Sequence, residues 1–248
     1  MLNFSASLNA LQNKTIIITG AGAGIGKAAA INFAKHGATV ILLGRTVKKL
    51  ESVYDEIVEA GYPEPAIVPL DMKGATKKHY QDMANTIINQ FGKLDGVLQN
   101  ASLLGHLEPF KQIEEDIFNE VMQVNLNSQF LMTQALLEAL ELAPQASVVF
   151  TSSSVGSQGR AYWGTYSISK FATEGMMQVL ADEYAGTKLR FNCINPGATR
   201  TSMRAKAFPG EETSTLKTPE DIMPLYLYLM SDDSKEENGK TFVAQPKS

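Results

Sequence analysis

Thr15-Ile16-Ile17-Ile18-Thr19-Gly20-Ala21-Gly22-Ala23-Gly24-Ile25-Gly26 is a β-branched run that turns abruptly into glycine and small residues. The run is short and apolar throughout, as expected for a strand buried on both faces of a sheet. The glycines free the backbone for a tight turn, and a helical pattern over 25–35 follows, closed by Gly37. A strand that passes through a glycine turn into a helix opens a βαβ unit. Backbone N–H groups at the positive helix end can there receive a pyrophosphate. The literal G-x-G-x-x-G fingerprint fails, because a count from Gly20 puts its last position on Ile25; G-x-x-x-G-x-G on Gly20, Gly24 and Gly26 fits instead. Small residues also serve plain helix–strand packing, so the turn alone leaves both readings open.

Working outward, the same alternation repeats. Apolar runs at 39–43, 66–70, 94–98, 147–150, 189–194 and 241–243 are separated by helical stretches that reach to 60, then cover 76–91, 114–142, 166–184 and 218–230. Gly61 with Pro63, Pro144 and Gly186 supply the stops. Strands that alternate with helices imply crossover connections. The expected fold is α/β, a Rossmann-type doubly wound parallel sheet of about seven strands with helices on both faces. No repeat or linker divides the chain, so residues 1–248 are expected to form a single domain, with 1–13 as an N-terminal extension.

Of the 248 residues, 44% are hydrophobic and 19% charged, with 22 Lys and Arg against 26 Asp and Glu for a formal net charge of −4. This is an ordinary globular composition, and its mild acidity offers no electrostatic footprint for nucleic acid. No apolar run approaches the ~20 residues of a membrane-spanning helix. Residues 1–14 lack the basic start and apolar stretch of a signal peptide, and Pro246-Lys247-Ser248 is no address motif. Cys193 is alone, and His36, His79 and His106 are scattered without metal-ligand spacing and read as surface or loop residues. The expectation is a cytoplasmic protein with no metal, nucleic-acid or membrane partner.

The end of the second strand speaks to cofactor choice. A carboxylate there accepts bonds from ribose hydroxyls and repels a 2′-phosphate. This chain carries Gly44-Arg45, which removes the carboxylate and offers a guanidinium suited to phosphate. NADP(H) is therefore preferred over NAD(H), with a solvated surface arginine as the competing reading.

Tyr166-Ser167-Ile168-Ser169-Lys170 sets a phenol and an ammonium on one helix face. Alone this pattern is weak, and Tyr184-Ala185-Gly186-Thr187-Lys188 repeats it, although Gly186 should end the helix between that pair. Only the first copy has company. Thr151-Ser152-Ser153-Ser154 lies at the carboxyl end of the fifth strand and Asn100 at that of the fourth, where open α/β sheets bind ligands. Asn125 stands inside the long helix between Val124 and Leu126, a mildly unfavourable place for Asn. A functional role and a local backbone bond both fit it.

These motifs together resemble the short-chain dehydrogenase/reductase family over about 13–243. Thr19 to Gly26 is similar to the family's T-G-x-x-x-G-x-G cofactor turn, and Asn125, Ser153, Tyr166 and Lys170 follow the order and spacing of its Asn-Ser-Tyr-Lys tetrad. Asn195-Pro196-Gly197-Ala198-Thr199-Arg200-Thr201 is similar to its P-G-x-x-x-T segment beside the nicotinamide, and Asp71 sits where the family bonds the adenine amino group. Gln99-Asn100-Ala101-Ser102 departs from the usual N-N-A-G by placing a side chain at Ser102. More narrowly, 151–160 with Trp163 and 170–183 resembles the YciK oxidoreductase subgroup.

The resemblance implies an NADP(H)-dependent oxidoreductase that moves a hydride between the nicotinamide and a carbonyl or secondary alcohol of a small-molecule substrate. Tyr166 would be the general acid/base, its phenol made readier to ionise by Lys170; Ser153 would hydrogen-bond the substrate oxygen, and Asn125 would hold a water linking Lys170 to solvent. Cofactor binding is implied for Gly20, Ala23, Gly24, Ile25 and Gly26 in the turn, and for Arg45, Asp71 and Met72 around the adenosine. Asn100, Ala101, Tyr166, Lys170, Pro196, Gly197, Thr199 and Thr201 would surround the nicotinamide end. The segment 202–217 would be a substrate lid, and helices over 114–142 and 163–184 the faces of a homodimer or homotetramer. The competing reading is a non-catalytic NADP(H)-binding regulator that keeps the fold, against which the intact Ser153, Tyr166 and Lys170 argue.

Overall fold

In a computed structural model, which describes residues 4–246, β1 (Thr15–Thr19) is buried at all five positions. Its side chains alternate between faces: Ile16 and Ile18 join one core, Ile17 the other. Each fully buried isoleucine contributes about 1.5–3 kcal/mol, which makes this strand the natural centre of the sheet. The remaining strands are β2 (Thr39–Gly44), β3 (Ala66–Pro69), β4 (Gly96–Gln99), β5 (Ala146–Thr151), β6 (Leu189–Asn195) and β7 (Thr241–Val243). All pair in parallel, in the order β3-β2-β1-β4-β5-β6-β7.

The helices are α1 (Gly24–Lys35), α2 (Val47–Glu59), α3 (Lys77–Phe91), α4 (Glu115–Met122), α5 (Ser128–Glu141), α6 (Gly164–Glu183), α7 (Ser202–Ala207) and α8 (Met223–Met230). Apolar residues of α1, α2 and α8 cover one face of the sheet; those of α3, α5 and α6 cover the other. The strand order reverses between β1 and β4, so the crevice at their carboxyl ends is where such a sheet receives ligands.

The fold class agrees with the sequence reading; three local features differ from it. The helix expected over 114–142 is α4, a π-helical turn at Gln123–Asn127, and α5. A π turn adds one residue to the spiral without disturbing the apolar spacing on either side, so the pattern hides it. The last helix starts at Met223, after a 3-10 turn at Glu220–Ile222, because in a helix begun earlier Pro224 would lack the amide that bonds the Glu220 carbonyl, whereas at the first turn of α8 it is tolerated. His36 is buried rather than exposed, its Nδ1 2.7 Å from the Asn32 carbonyl at the end of α1.

Residues 1–3 of the expected N-terminal extension lie outside the described residues. The rest of it is packed down: Leu11 is fully buried, its amide donates to the His36 carbonyl at 3.0 Å, and the Phe4 ring meets Tyr228 edge-on at 5.2 Å. Cys193 on β6 is buried too, and burial pushes its thiol pKa up. Among the described residues no helix is long and apolar enough to cross a membrane.

Candidate active site

A cavity of about 280 Å3 opens at the carboxyl ends of β1, β2 and β4. Gly20, Gly22 and Ala23 form its floor; Arg45, Lys49 and Leu50 stand on one side, Asp71 and Met72 on another, and Ala101, Ser102 and Leu103 on the third. Gly20 adopts φ +70° and Gly24 φ +54°, left-handed conformations that glycine takes without strain. Gly26 does not line the cavity. A Cβ there would stand 2.3 Å from the Gly20 carbonyl oxygen, so this glycine lets α1 lie against the turn.

The amino end of α1 is uncapped: Ala23 offers no side-chain acceptor, and the first turn holds no acidic residue. Its free amides and positive dipole end thus lack a protein anion beside the cavity. Arg45 is exposed at the rim and takes part in none of the ion pairs among the described residues. Lys49 adds a second cation on the same wall. A glycine floor, an uncapped helix end and two cations fit the phosphates of a dinucleotide.

The catalytic candidates meet at the carboxyl end of β5. Ser153 caps a 3-10 turn at Ser154–Gly156, its hydroxyl accepting from the Val155 amide at 3.4 Å. From α6, Tyr166 and Lys170 enter the same corner one helical turn apart, 7% and 1% exposed. Lys170 Nζ donates to the Thr151 carbonyl at 2.7 Å and lies 5.4 Å from the centre of the Tyr166 ring. Burial pushes the phenol up to about 12, with the nearby Ser102 and Ser153 hydroxyls pulling weakly the other way. Burial also lowers the Lys170 ammonium to about 8. Desolvation thus leaves the phenol above its ordinary value rather than below it.

Asn125 is fully buried in the π turn. Its side chain accepts from the Leu103 amide at 2.7 Å and donates to the Leu103 carbonyl at 2.9 Å and to Ser169 Oγ at 3.0 Å. The amide thus grips the loop after β4 and the catalytic helix rather than Lys170. Tyr184 and Lys188 do not share a helix face: α6 ends at Glu183, and Gly186 has φ +76°.

Pro196, Gly197, Thr199 and Thr201 follow β6 toward the first glycine turn, where the Thr201 methyl would lie 3.5 Å from a Cβ on Gly24. The Gln245 side chain holds this segment by donating to the Pro196 and Ala198 carbonyls at 2.8 and 3.2 Å. The expected lid begins as α7, capped by Thr201, and its far end returns through the Arg200 amide bonded to the Lys217 carbonyl at 2.8 Å. Phe208 anchors it. Its ring lies 3.8 Å from Arg204 Cζ, 5.5 Å from Arg160 Cζ and 5.7 Å from the Trp163 ring, and Trp163 in turn meets Tyr166 edge-on at 6.0 Å.

The sequence reading missed Lys49, Gln245 and Glu174. Glu174 is buried one turn beyond Lys170, accepting from Ser152 Oγ and from Thr241 Oγ1. An acid on the inward face of α6 was the available signal, since unpaired carboxylates rarely sit there.

A model of short chain dehydrogenases matches residues 14–212. The uncharacterized oxidoreductase YciK of Escherichia coli (strain K12) is 52% identical over 245 residues, covering 99% of this chain and 97% of that protein. Among solved structures, a short chain dehydrogenase from Shigella flexneri 2a str. 301 complexed with NADP is 53% identical, with a TM-score of 0.95 over 97% of this chain and 100% of the other. One from Escherichia coli CFT073 complexed with NADPH has the same identity, 53%, the same TM-score, 0.95, and the same coverage.

Proposed function

The chain belongs to the short-chain dehydrogenase family, and on that premise we propose that it is an NADP(H)-dependent oxidoreductase acting between a carbonyl and a secondary alcohol, with Tyr166 as the general acid/base. The observation that carries this reading is the convergence of Ser153, Tyr166 and Lys170 on one buried corner beside the glycine-floored cavity. Gly20, Ala23 and the open end of α1 would hold the pyrophosphate, Arg45 the 2′-phosphate, and Asp71 and Met72 the adenine side. Asn100, Ala101, Lys170 and the 196–201 segment would bound the nicotinamide end. When bound, the nicotinamide supplies the hydride and, once oxidised, a positive charge beside the phenol.

Tyr166 Oη would give its proton to the substrate oxygen in reduction and take it back in oxidation. Ser153 Oγ, facing the same point, donates a hydrogen bond to that oxygen as negative charge grows on it. A phenol held at about 12 must fall by about 4 units to exchange protons readily near pH 8. That corresponds to ~5–6 kcal/mol of differential stabilisation. One cation about 5 Å away contributes ~3 kcal/mol at an effective dielectric of ~20. Lys170 therefore supplies about half, and its ammonium, held at about 8, is still largely protonated at pH 7. Asn125 and Thr151 act by position: the first fixes the loop after β4, the second aims Lys170.

Exposed apolar residues on the outer faces of α5 and α6, Phe130, Phe171 and Val179 among them, support a homo-oligomer joined there. NADPH oxidation measured with a panel of ketones and aldehydes tests the whole reading. Turnover that Tyr166→Phe abolishes, with NADPH binding retained and Tyr184→Phe unaffected, is expected. Tight NADPH binding without turnover on any substrate would instead favour the regulator.

A further inference from the structure

Lys170 and Glu174 stand one helical turn apart on the inward face of α6, and they grip consecutive residues at the end of β5. Lys170 Nζ donates to the Thr151 carbonyl at 2.7 Å, and Glu174 Oε1 accepts from the Ser152 hydroxyl. The Thr151 carbonyl and the Ser152 amide belong to one planar peptide, and that amide donates to the Ile194 carbonyl of β6 at 2.7 Å. Ser152 is thus fixed at its amide and at its side chain, and the residue after it is Ser153. The second carboxylate oxygen, Glu174 Oε2, accepts from Thr241 Oγ1 on β7 at 3.1 Å. Gly156 leaves the space in which this junction closes: a Cβ there would stand 2.6 Å from Ser152 Oγ, 3.1 Å from Glu174 Oε1 and 3.2 Å from Lys170 Cβ. Glu174 is 8% exposed and enters none of the ion pairs among the described residues. A buried carboxylate without a cation is unfavourable. Its advantage here is that a carboxylate accepts at both oxygens, whereas an amide of the same shape accepts at only one.

We infer that Glu174 is a positioning residue for the reaction: by holding Ser152 against α6 it sets the direction of the Thr151 carbonyl, which aims Lys170, and the place of the Ser153 hydroxyl relative to Tyr166. The inference rests on Tyr166 being the general acid/base with Ser153 and Lys170 beside it. Glu174 touches no reacting atom and exchanges no proton; it acts through the register of α6 on β5. Tyr166, Lys170 and Glu174 ride on one helix, so a bond at Ser152 fixes all three against the strand that leads into Ser153. The bond suits the task, because a hydroxyl is held more firmly by a carboxylate than by a neutral acceptor. In Glu174→Gln the amide nitrogen brings N–H groups to a place where a hydroxyl now donates, and one of the two hydroxyls must turn away. Small displacements of groups that act in the transition state lower rate more than they lower binding. A glutamate kept only for folding would affect stability and leave kcat alone.

The test takes the carbonyl compound that the wild type reduces fastest in the ketone and aldehyde panel. It measures kcat, KM and NADPH affinity for Glu174→Gln, Ser152→Ala and the double variant, with thermal midpoints recording any loss of stability separately. Each single substitution should lower kcat about tenfold, with KM and the NADPH dissociation constant within about twofold of wild type. The double variant should fall no further than the worse single one, because both changes remove the same bond. A wild-type kcat in folded Glu174→Gln overturns the inference. So does a double variant whose loss is the product of the two, about a hundredfold, since Ser152 is then not the route. Should Glu174→Gln fail to fold, Ser152→Ala, which removes a single oxygen, gives the answer alone: a tenfold loss upholds the role and an unchanged kcat overturns it. All of these results leave Tyr166 standing. A wild type that reduces no compound in the panel, or a Tyr166→Phe variant as active as wild type, overturns the acid/base assignment and this inference together.

Discussion

Replacing Gly26 with alanine puts one methyl group where the backbone has left no room. The new Cβ would stand 2.3 Å from the Gly20 carbonyl oxygen and 2.9 Å from Asn100 Nδ2. A carbon and a carbonyl oxygen normally approach to about 3.3 Å, so either α1 or the glycine turn must retreat by about 1 Å. The obstacle is backbone rather than the tip of a flexible side chain, which places the penalty at the upper end of the ~1–3 kcal/mol usual for overpacking. Alanine regains ~1 kcal/mol of helix propensity. The net loss of about 2 kcal/mol corresponds to a fall of ~4–8 °C in Tm for a domain of this size. Because the displaced carbonyl belongs to the cavity floor, NADPH should also bind about tenfold more weakly, ~1.4 kcal/mol. Thermal unfolding followed by circular dichroism, with NADPH fluorescence titration, measures both. A Gly26→Ala protein as stable as wild type, binding NADPH unchanged, would refute the steric reasoning.

Lys170 gives a pH-dependent expectation. Burial lowers its pKa from 10.5 to about 8, so between those values the unfolded chain binds more protons and stability rises with pH. Below about 8 the folded protein must hold a buried ammonium. Lys170→Met should therefore be more stable than wild type at pH 7, by ~1–3 kcal/mol, with the gap narrowing toward pH 10; a gap that is constant with pH contradicts the assignment. Arg45→Asp should lower the ratio of NADPH to NADH affinity by about tenfold to a hundredfold, and fluorescence titrations giving the wild-type ratio would remove Arg45 from the phosphate site. Phe208→Ala takes away the ring on which the lid rests. Trp163, the protein's single tryptophan, should then emit at longer wavelength and be quenched more readily by iodide, and an unaltered spectrum would mean that Phe208 does not shield it.

The sheet was readable because each strand is a short apolar run ended by glycine, proline or a polar residue. Tyr166 and Lys170 were readable because four positions on a helix are one turn. What escaped the reading depends on contacts between distant parts of the chain. Nothing around Asn125 discloses that its amide closes on Leu103, 22 residues earlier. The π turn that aims it is likewise invisible, since Val121, Val124 and Met132 keep helical apolar spacing through it. The phenol's elevated pKa also lay beyond reach, because it follows from how completely the corner is dried. Gln245, near the end of the chain, meets the 196–198 carbonyls only once β7 has docked beside β6.

The buried Cys193 has a practical consequence. A thiol without solvent access, held protonated by its surroundings, is nearly inert toward alkylating reagents and peroxide. The native chain thus offers no reactive thiol, and a cysteine introduced at exposed Lys206 would be the sole thiol open to a maleimide-linked spin or fluorescent label. Displacement of α7 could then be followed directly, with no need to engineer a thiol-free background first.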